Sequence, residues 1–343
     1  MVEAGKICKN IPMVDCHLDL GMYVASERRK GRTHVIKEDY LDDMRAGGFN
    51  VVVAACFLSE EEVATAAAET ARKQIAALRM EEQECPEDIA ICTTYDDIVN
   101  AVDAGKLAVI ISFEGVEPIE GKPELLDEFY ELGVRGLGVS WSRKNFAAEG
   151  APYTATDAPA NGLTDIGKEV IRKAAEMGYF IDVTHLNDPG VDDVIALGAK
   201  PVIASHSNCR AINPTPRNID DEHLLAIART GGVICINQVS GLVADNEEEI
   251  TIKTMADHMD YAKKLVGIDH LGIGFDFCDL LYKDEPDTTV VINGNEVGAY
   301  DLLKNHRGIA KFREELERRN YSPAEIQAIF GGNMMRIFEG MLK

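Results

Sequence analysis

The sequence predicts a (β/α)8 barrel in a single domain spanning residues 1–343, with an open doubly wound sheet as the alternative. Two observations carry this. Eight short runs are almost continuously apolar, as strands covered on both faces of a parallel sheet are. Segments with a helical pattern lie between them, and no Pro/Gly/Ser linker, low-complexity tract or short repeat offers a domain boundary.

Taken in order, the first run, 14–20 ("VDCHLDL"), is apolar except for Asp15, His17 and Asp19. The second, 51–57 ("VVVAACF"), leads into an alanine-rich stretch, 64–80, that helix propensity favours. The third and fourth are 107–113 ("LAVIISF") and 136–141 ("GLGVSW"). A helix follows at Asp165–Met177: Thr164 can cap it, Ile166, Val170, Ile171, Ala174 and Met177 form a stripe, and Gly178 stops it. The remaining runs are 180–184 ("FIDVT"), 201–205 ("PVIAS"), 233–237 ("VICIN") and 271–275 ("LGIGF"). Near the end, Ser322-Pro-Ala-Glu325 reads as a capping box with proline at the first helical position, before a stripe of Ile326, Ile329 and Phe330.

Charge excludes some partners. With 35 basic and 58 acidic residues the formal net charge is -23, which repels phosphate backbones and anionic lipid, so nucleic acid and membrane surfaces are not expected. The eight cysteines (8, 16, 56, 85, 92, 209, 235 and 278) contain no C-x-x-C pair and read as reduced, buried thiols. The start lacks the apolar core of a signal peptide and no stretch reaches a membrane span, so the expected location is cytoplasmic. "GVRGLG" and "GIGF" lack the third glycine of a phosphate loop.

Acids and histidines collect at the ends of the runs. His17 and Asp19 sit in the first, and Glu114, His185, His206 and Asp276 follow the third, fifth, sixth and eighth. Each alone is better explained blandly, as a satisfied core histidine, a helix cap or a solvated acid. A barrel, however, brings all six to one mouth, and that joint pattern favours a metal site. Imidazole with carboxylate suits zinc, and manganese or iron less well; the lack of thiolates argues against a purely structural zinc. The donors exceed one tetrahedral ion's needs, whereas two ions sharing Glu114, at the roughly 3.5–4 Å spacing of two-metal hydrolytic sites, would use them. Asp15 is left over, and alternation makes it a candidate to orient His17. A covalent mechanism through Ser205, Ser207 or Cys209 beside His206 is disfavoured, because His206 is better used as a ligand.

At these residues the chain resembles the membrane (renal) dipeptidase family of zinc peptidases, among the amidohydrolase-like barrels. The motifs "VDCHLDL", "ISFEG", "GVRGLGVSW", "GYFIDVTH", "PVIASHSNCRAINPTPRNIDDE", "GIGFDF" and "YSPAEIQAIFGGNMMRIF" occur in the family's order. The resemblance implies two Zn2+ per chain, one held by His17 and Asp19, the other by His185 and His206, with Glu114 bridging. It implies that Asp276 shuttles a proton beside the metals and that Arg217 receives the terminal carboxylate of a dipeptide, including dipeptides with a D-residue at that end. Hydrolysis would proceed through a metal-bridging hydroxide. Family members are often homodimers, though no residue pattern here indicates one. Read from the residues alone, Arg217 is instead a surface ion pair with Asp220 or Asp221. Two departures bear on specificity: Trp141-Ser142 replaces the family's histidine after the fourth strand, and Cys278 replaces the second acid of Asp-Phe-Asp-Gly. Trp141 reads as pocket lining. Rival functions are an N-acyl amino acid deacylase or a lactonase on the same barrel, or a non-catalytic metal- or ligand-binding protein.

Overall fold

The computed structural model describes residues 11–156, 160–281, 283 and 288–343, so Cys8 lies outside the described residues. Within them the strands are β1 (Met13–Leu18), β2 (Phe49–Cys56), β3 (Ile89–Ile91), β4 (Leu107–Glu114), β5 (Val134–Gly138), β6 (Phe180–Asp182), β7 (Val202–Ile203), β8 (Ile234–Ile236), β9 (Leu271–Ile273), β10 (Thr289–Ile292) and β11 (Asn295–Gly298). Every apolar run overlaps one, with β1, β2 and β5 starting one or two residues before their runs. Some stop short: Leu20 opens the helix Leu20–Arg29, and the chain leaves the sheet after Gly138, so Trp141 lies beyond its strand. β3 and the β10–β11 hairpin have no counterpart among the eight runs.

The main sheet is parallel, in the order β1-β2-β4-β5-β6-β7, with β3 alongside the start of β4. β8 and β9 form a second parallel pair. Backbone bonds join the two groups at both ends: Ala204 bridges to Ile234 in parallel fashion, and Asp276 N–H donates to His17 O at 3.1 Å. The main sheet is strongly curled. Laid flat, strands ~4.8 Å apart would separate β1 from β7 by about 24 Å, yet the ring centroids of His17 and His206, from the two ends of that sheet, are 3.7 Å apart.

Both faces of the strands are buried, which is why their sequences do not alternate. Val14, Cys16, Val51, Val53, Ala108, Ile110, Ile203, Val233 and Cys235 pack in one cluster. The intervening residues Val52, Ala54, Val109 and Ile111 pack with the helices in the other. The helix Asp165–Met177 is capped as expected, with Thr164 Oγ1 accepting from Gly167 N–H at 3.0 Å and Gly178 at φ 92°. The alanine-rich stretch lies within Glu60–Glu84, which opens on a capping box of Ser59 and Glu62. Ser322 and Glu325 form the other box, at the start of Pro323–Gln327. No helix among the described residues is long and apolar enough to cross a membrane.

Candidate metal centre

The curl brings the strand ends together. Glu114, the last residue of β4, lies at the middle of the cluster: its Oε1 is 2.9 Å from His185 Nε2 and 3.6 Å from His206 Nε2. Its Oε2 points the other way, 3.5 Å from His17 Nε2. Asp19 Oδ1 and Asp276 Oδ1 each lie 3.8 Å from that same nitrogen. Ligand atoms gather in three overlapping groups, His17–Asp19–Glu114, Glu114–His185–His206 and His17–His206–Asp276, each within 4.8 Å. All six acids and histidines expected at the mouth are therefore in one place. His185 and Asp276 have φ of 67° and 57°, a left-handed backbone that is costly without glycine and tends to cluster at functional sites.

Their protonation preferences reflect crowding away from water. Burial opposes charge on His17, but Glu114 beside it prevails and lifts the imidazole to about 10. Burial would raise Glu114 as well, yet His17 holds it well below the usual carboxylate range. Burial, with Arg217 next, pushes His185 down to about 3, and burial with His17 and Arg217 pushes His206 well down too. Asp19 is raised by burial and by Glu114. For Asp276 burial wins over the pull of His17 and sets the value to about 6.

The donor set fits a metal. His17 Nε2, Asp19 Oδ1 and Glu114 Oε2 are buried and make no hydrogen bond of good geometry, the first and last facing each other at 3.5 Å as a loose ion pair; a cation displacing the His17 proton would satisfy all three. Arg217 Nη2 lies 3.1 Å from His185 Nε2 and can only donate, so that nitrogen is an acceptor, 2.9 Å from another acceptor, Glu114 Oε1. The ring proton of His185 is then on Nδ1, 2.8 Å from Ser142 Oγ. Imidazoles and carboxylates without thiolate match zinc chemistry.

A cavity of about 330 Å³ opens over Asp19, Glu114, His185 and Asp276. Trp141 lines it, with its ring 5.7 Å from that of His185 and 5.4 Å from that of Phe57. One wall carries Tyr23, Glu27, Lys30 and Lys283; Val239, Leu242, Val290 and Ile292 bring hydrocarbon to the lining. Asn237 Nδ2 donates to Asp276 Oδ2 at 3.4 Å.

Arg217 is no surface residue. It is 2% exposed, donating to Ser207 Oγ and His206 O at 3.1 Å, while Arg210 is the residue that pairs with Asp188 and Asp220. Its guanidinium stands behind His185 and does not line the cavity. Asp15 also departs from expectation. Its Oδ1 accepts the backbone N–H groups of His17 and Phe275, and its Oδ2 lies 2.9 Å from His306 Nε2, so it braces the strand ends and leaves the His17 ring alone. Cys278 lines the cavity with its N–H on Asp301. Ser205, Ser207 and Cys209 are buried and absent from the cavity wall, a poor position for a nucleophile. Asn237 touches the cluster directly and Asp182 through Ser205, although the sequence pattern does not single them out; Ser142, noted as a departure from the family, holds the His185 ring, and Ser205, considered as a nucleophile, instead contacts the His206 ring.

Comparison with known proteins identifies the family. The family model for membrane dipeptidases, peptidase family M19, matches residues 1–342. An uncharacterised protein from the PQQ-III 3′ region of Acinetobacter calcoaceticus is 33% identical over 180 residues, 51% of this chain and 57% of that protein. An uncharacterised dipeptidase of Schizosaccharomyces pombe is 25% identical over 97% of this chain and 81% of its own length. Among solved structures, a metallopeptidase of Rhodobacter sphaeroides, crystallised with a phosphinate mimic of the dipeptide L-Ala-D-Ala, shares the fold with TM-score 0.81 at 21% identity, over 97% of this chain and 100% of that one. Matched along almost its whole length, and carrying a cluster of metal-type ligands at the strand ends, the chain belongs to the membrane dipeptidase family of metallopeptidases.

Proposed function

We propose that this protein hydrolyses the amide bond of dipeptides with two zinc ions at the mouth of a single-domain, closed eight-stranded barrel. The observation that carries the reading is the convergence of six acids and histidines, three of whose buried ligand atoms make no hydrogen bond of good geometry. The bonds from Ala204 to the β8 segment and from Asp276 to His17 support closure of the ring. His17 and Asp19 would hold one ion, His185 and His206 the other, with one oxygen of Glu114 directed to each.

Zinc, when bound, would supply Lewis-acid chemistry, making water more acidic, toward a pKa of ~7, and polarising the scissile carbonyl. Asp276 receives the proton of the attacking water on Oδ1 and returns it to the departing amine, while Asn237 steadies its other oxygen. Arg217 receives the terminal carboxylate of the substrate, which requires its guanidinium to turn from His185 toward the cavity. Trp141 and Phe57 cover the centre and limit water, and the hydrocarbon side of the lining suits an apolar side chain.

Metal analysis of the zinc-reconstituted protein, paired with a panel of L,L- and L,D-dipeptides, N-acyl amino acids and lactones, tests the reading. Two ions per chain and selective cleavage of dipeptides are expected. Preferential turnover of acyl amino acids or lactones would reassign the substrate, and no stoichiometric metal would end the proposal.

A further inference from the structure

We infer that Asp182, acting through Ser205, fixes the tautomer of His206 so that Nε2 presents its lone pair to the metal position; the inference rests on reading His206 as a ligand. Asp182 ends β6 and is buried, as are Ser205 and His206. Its Oδ1 accepts the backbone N–H groups of Thr184 and Ser205, each at 3.0 Å. Its Oδ2 accepts the Ser205 hydroxyl in a short hydrogen bond. On the far side, Ser205 Oγ lies 2.8 Å from His206 Nδ1.

A hydroxyl has one proton, and a carboxylate has none to give. The Ser205 proton is committed to Asp182, so the contact with His206 requires Nδ1 to be the donor. A neutral imidazole protonated at Nδ1 carries its lone pair on Nε2, the atom 3.6 Å from Glu114 Oε1 and 3.0 Å from His185 Nε2. Thr184 Oγ1, 3.4 Å from Ser205 Oγ, can donate to that oxygen without disturbing the arrangement, and it also receives His206 N–H at 3.3 Å. Direction therefore runs one way, from ring to hydroxyl to carboxylate. Asp182 touches no reacting atom and is a positioning residue.

The nearly isosteric variant Asp182→Asn reverses that direction. Its Oδ1 keeps the two backbone donors, and Nδ2, in the place of Oδ2, now donates to Ser205 Oγ. The hydroxyl proton turns to His206 Nδ1, and the ring proton moves to Nε2, where it blocks the ligand atom. A wrong-tautomer effect of this kind is known for an aspartate-to-asparagine change in the serine-protease triad.

Two measurements on the full chain test this. Zinc affinity, read by competition with a chromophoric chelator, should fall ~10–100-fold for one ion in Asp182→Asn, and less in Ser205→Ala, which frees the tautomer without inverting it. In metal-free protein labelled with 15N-histidine, the His206 ring pattern should change from Nδ1–H in the parent to Nε2–H in Asp182→Asn. A folded Asp182→Asn with unchanged tautomer and affinity overturns the inference; if that variant does not fold, a Ser205→Ala protein with parental affinity and a fixed Nδ1–H ring does so. A parent chain that binds no zinc would instead refute the ligand assignment, and the 15N pattern would still decide the role of Asp182.

Discussion

Asp276 is the residue on which turnover should depend most sharply. Asp276→Asn keeps shape and leaves the ligands in place, so zinc content should stay at the parental level while kcat falls by ~10²–10⁴, the usual worth of a positioned acid–base group. Equal kcat in parent and variant would remove Asp276 from proton transfer. The same group sets a pH limit. As the proposed base, its carboxyl, raised to about 6 by burial, must be ionised to act, so activity is expected above that value and is expected to fall as pH drops through it. Neighbouring cations favour the ionised form, so the acid limb of kcat/KM should be centred at or below about 6; a limb well above that value would contradict the assignment. These residues were legible because a charge in or just after an apolar run is conspicuous. Asp182 bears the same mark inside "FIDVT", and it became informative only once Ser205 and His206 were known to lie beside it. Ser142 and His306 carry no comparable mark, since their roles depend on distances between segments far apart in the chain.

Among the elements, the parallel strands were readable for a physical reason: burial on both faces makes them continuously apolar, as in β2 and β4. Their ends were less so, because hydrogen-bonded ladders in the later strands shrink to two or three residues while the apolar run continues. The β10–β11 hairpin shows the opposite. Its alternation is weak, but Asn293-Gly294 with φ of 51° and 83° forms the tight turn that Asn-Gly favours, and that dipeptide was the available signal. Val290 and Ile292 project from it into the cavity lining. Replacing a hydrocarbon contact with a hydroxyl should weaken transition-state binding of large apolar substrates, so Val290→Ser is expected to lower kcat/KM for leucyl dipeptides about 10-fold more than for glycyl ones. Steady-state kinetics on matched substrates checks this, and an equal loss on both would place the hairpin outside the specificity surface.

For the whole molecule, metal binding and folding should be coupled. The cluster assembles carboxylates and imidazoles that repel or desolvate one another, and a cation that binds only the folded chain stabilises it by about 2.7 kcal/mol when present at about a hundred times its Kd. Stripping the metal with a chelator should therefore lower the thermal midpoint by several degrees, and adding zinc back should restore it, as read by calorimetry. No shift on chelation would mean that the cluster is stable without an ion.

The link between Asp276 and the backbone of His17 also has a consequence for how the protein comes into being. The clustered residues are spread from position 17 to position 276, so on the proposed reading a nascent chain has no working centre until residue 276 has left the ribosome. A chain cut short before that point is expected to lack peptidase activity, because the cluster it needs is drawn from segments made far apart in time.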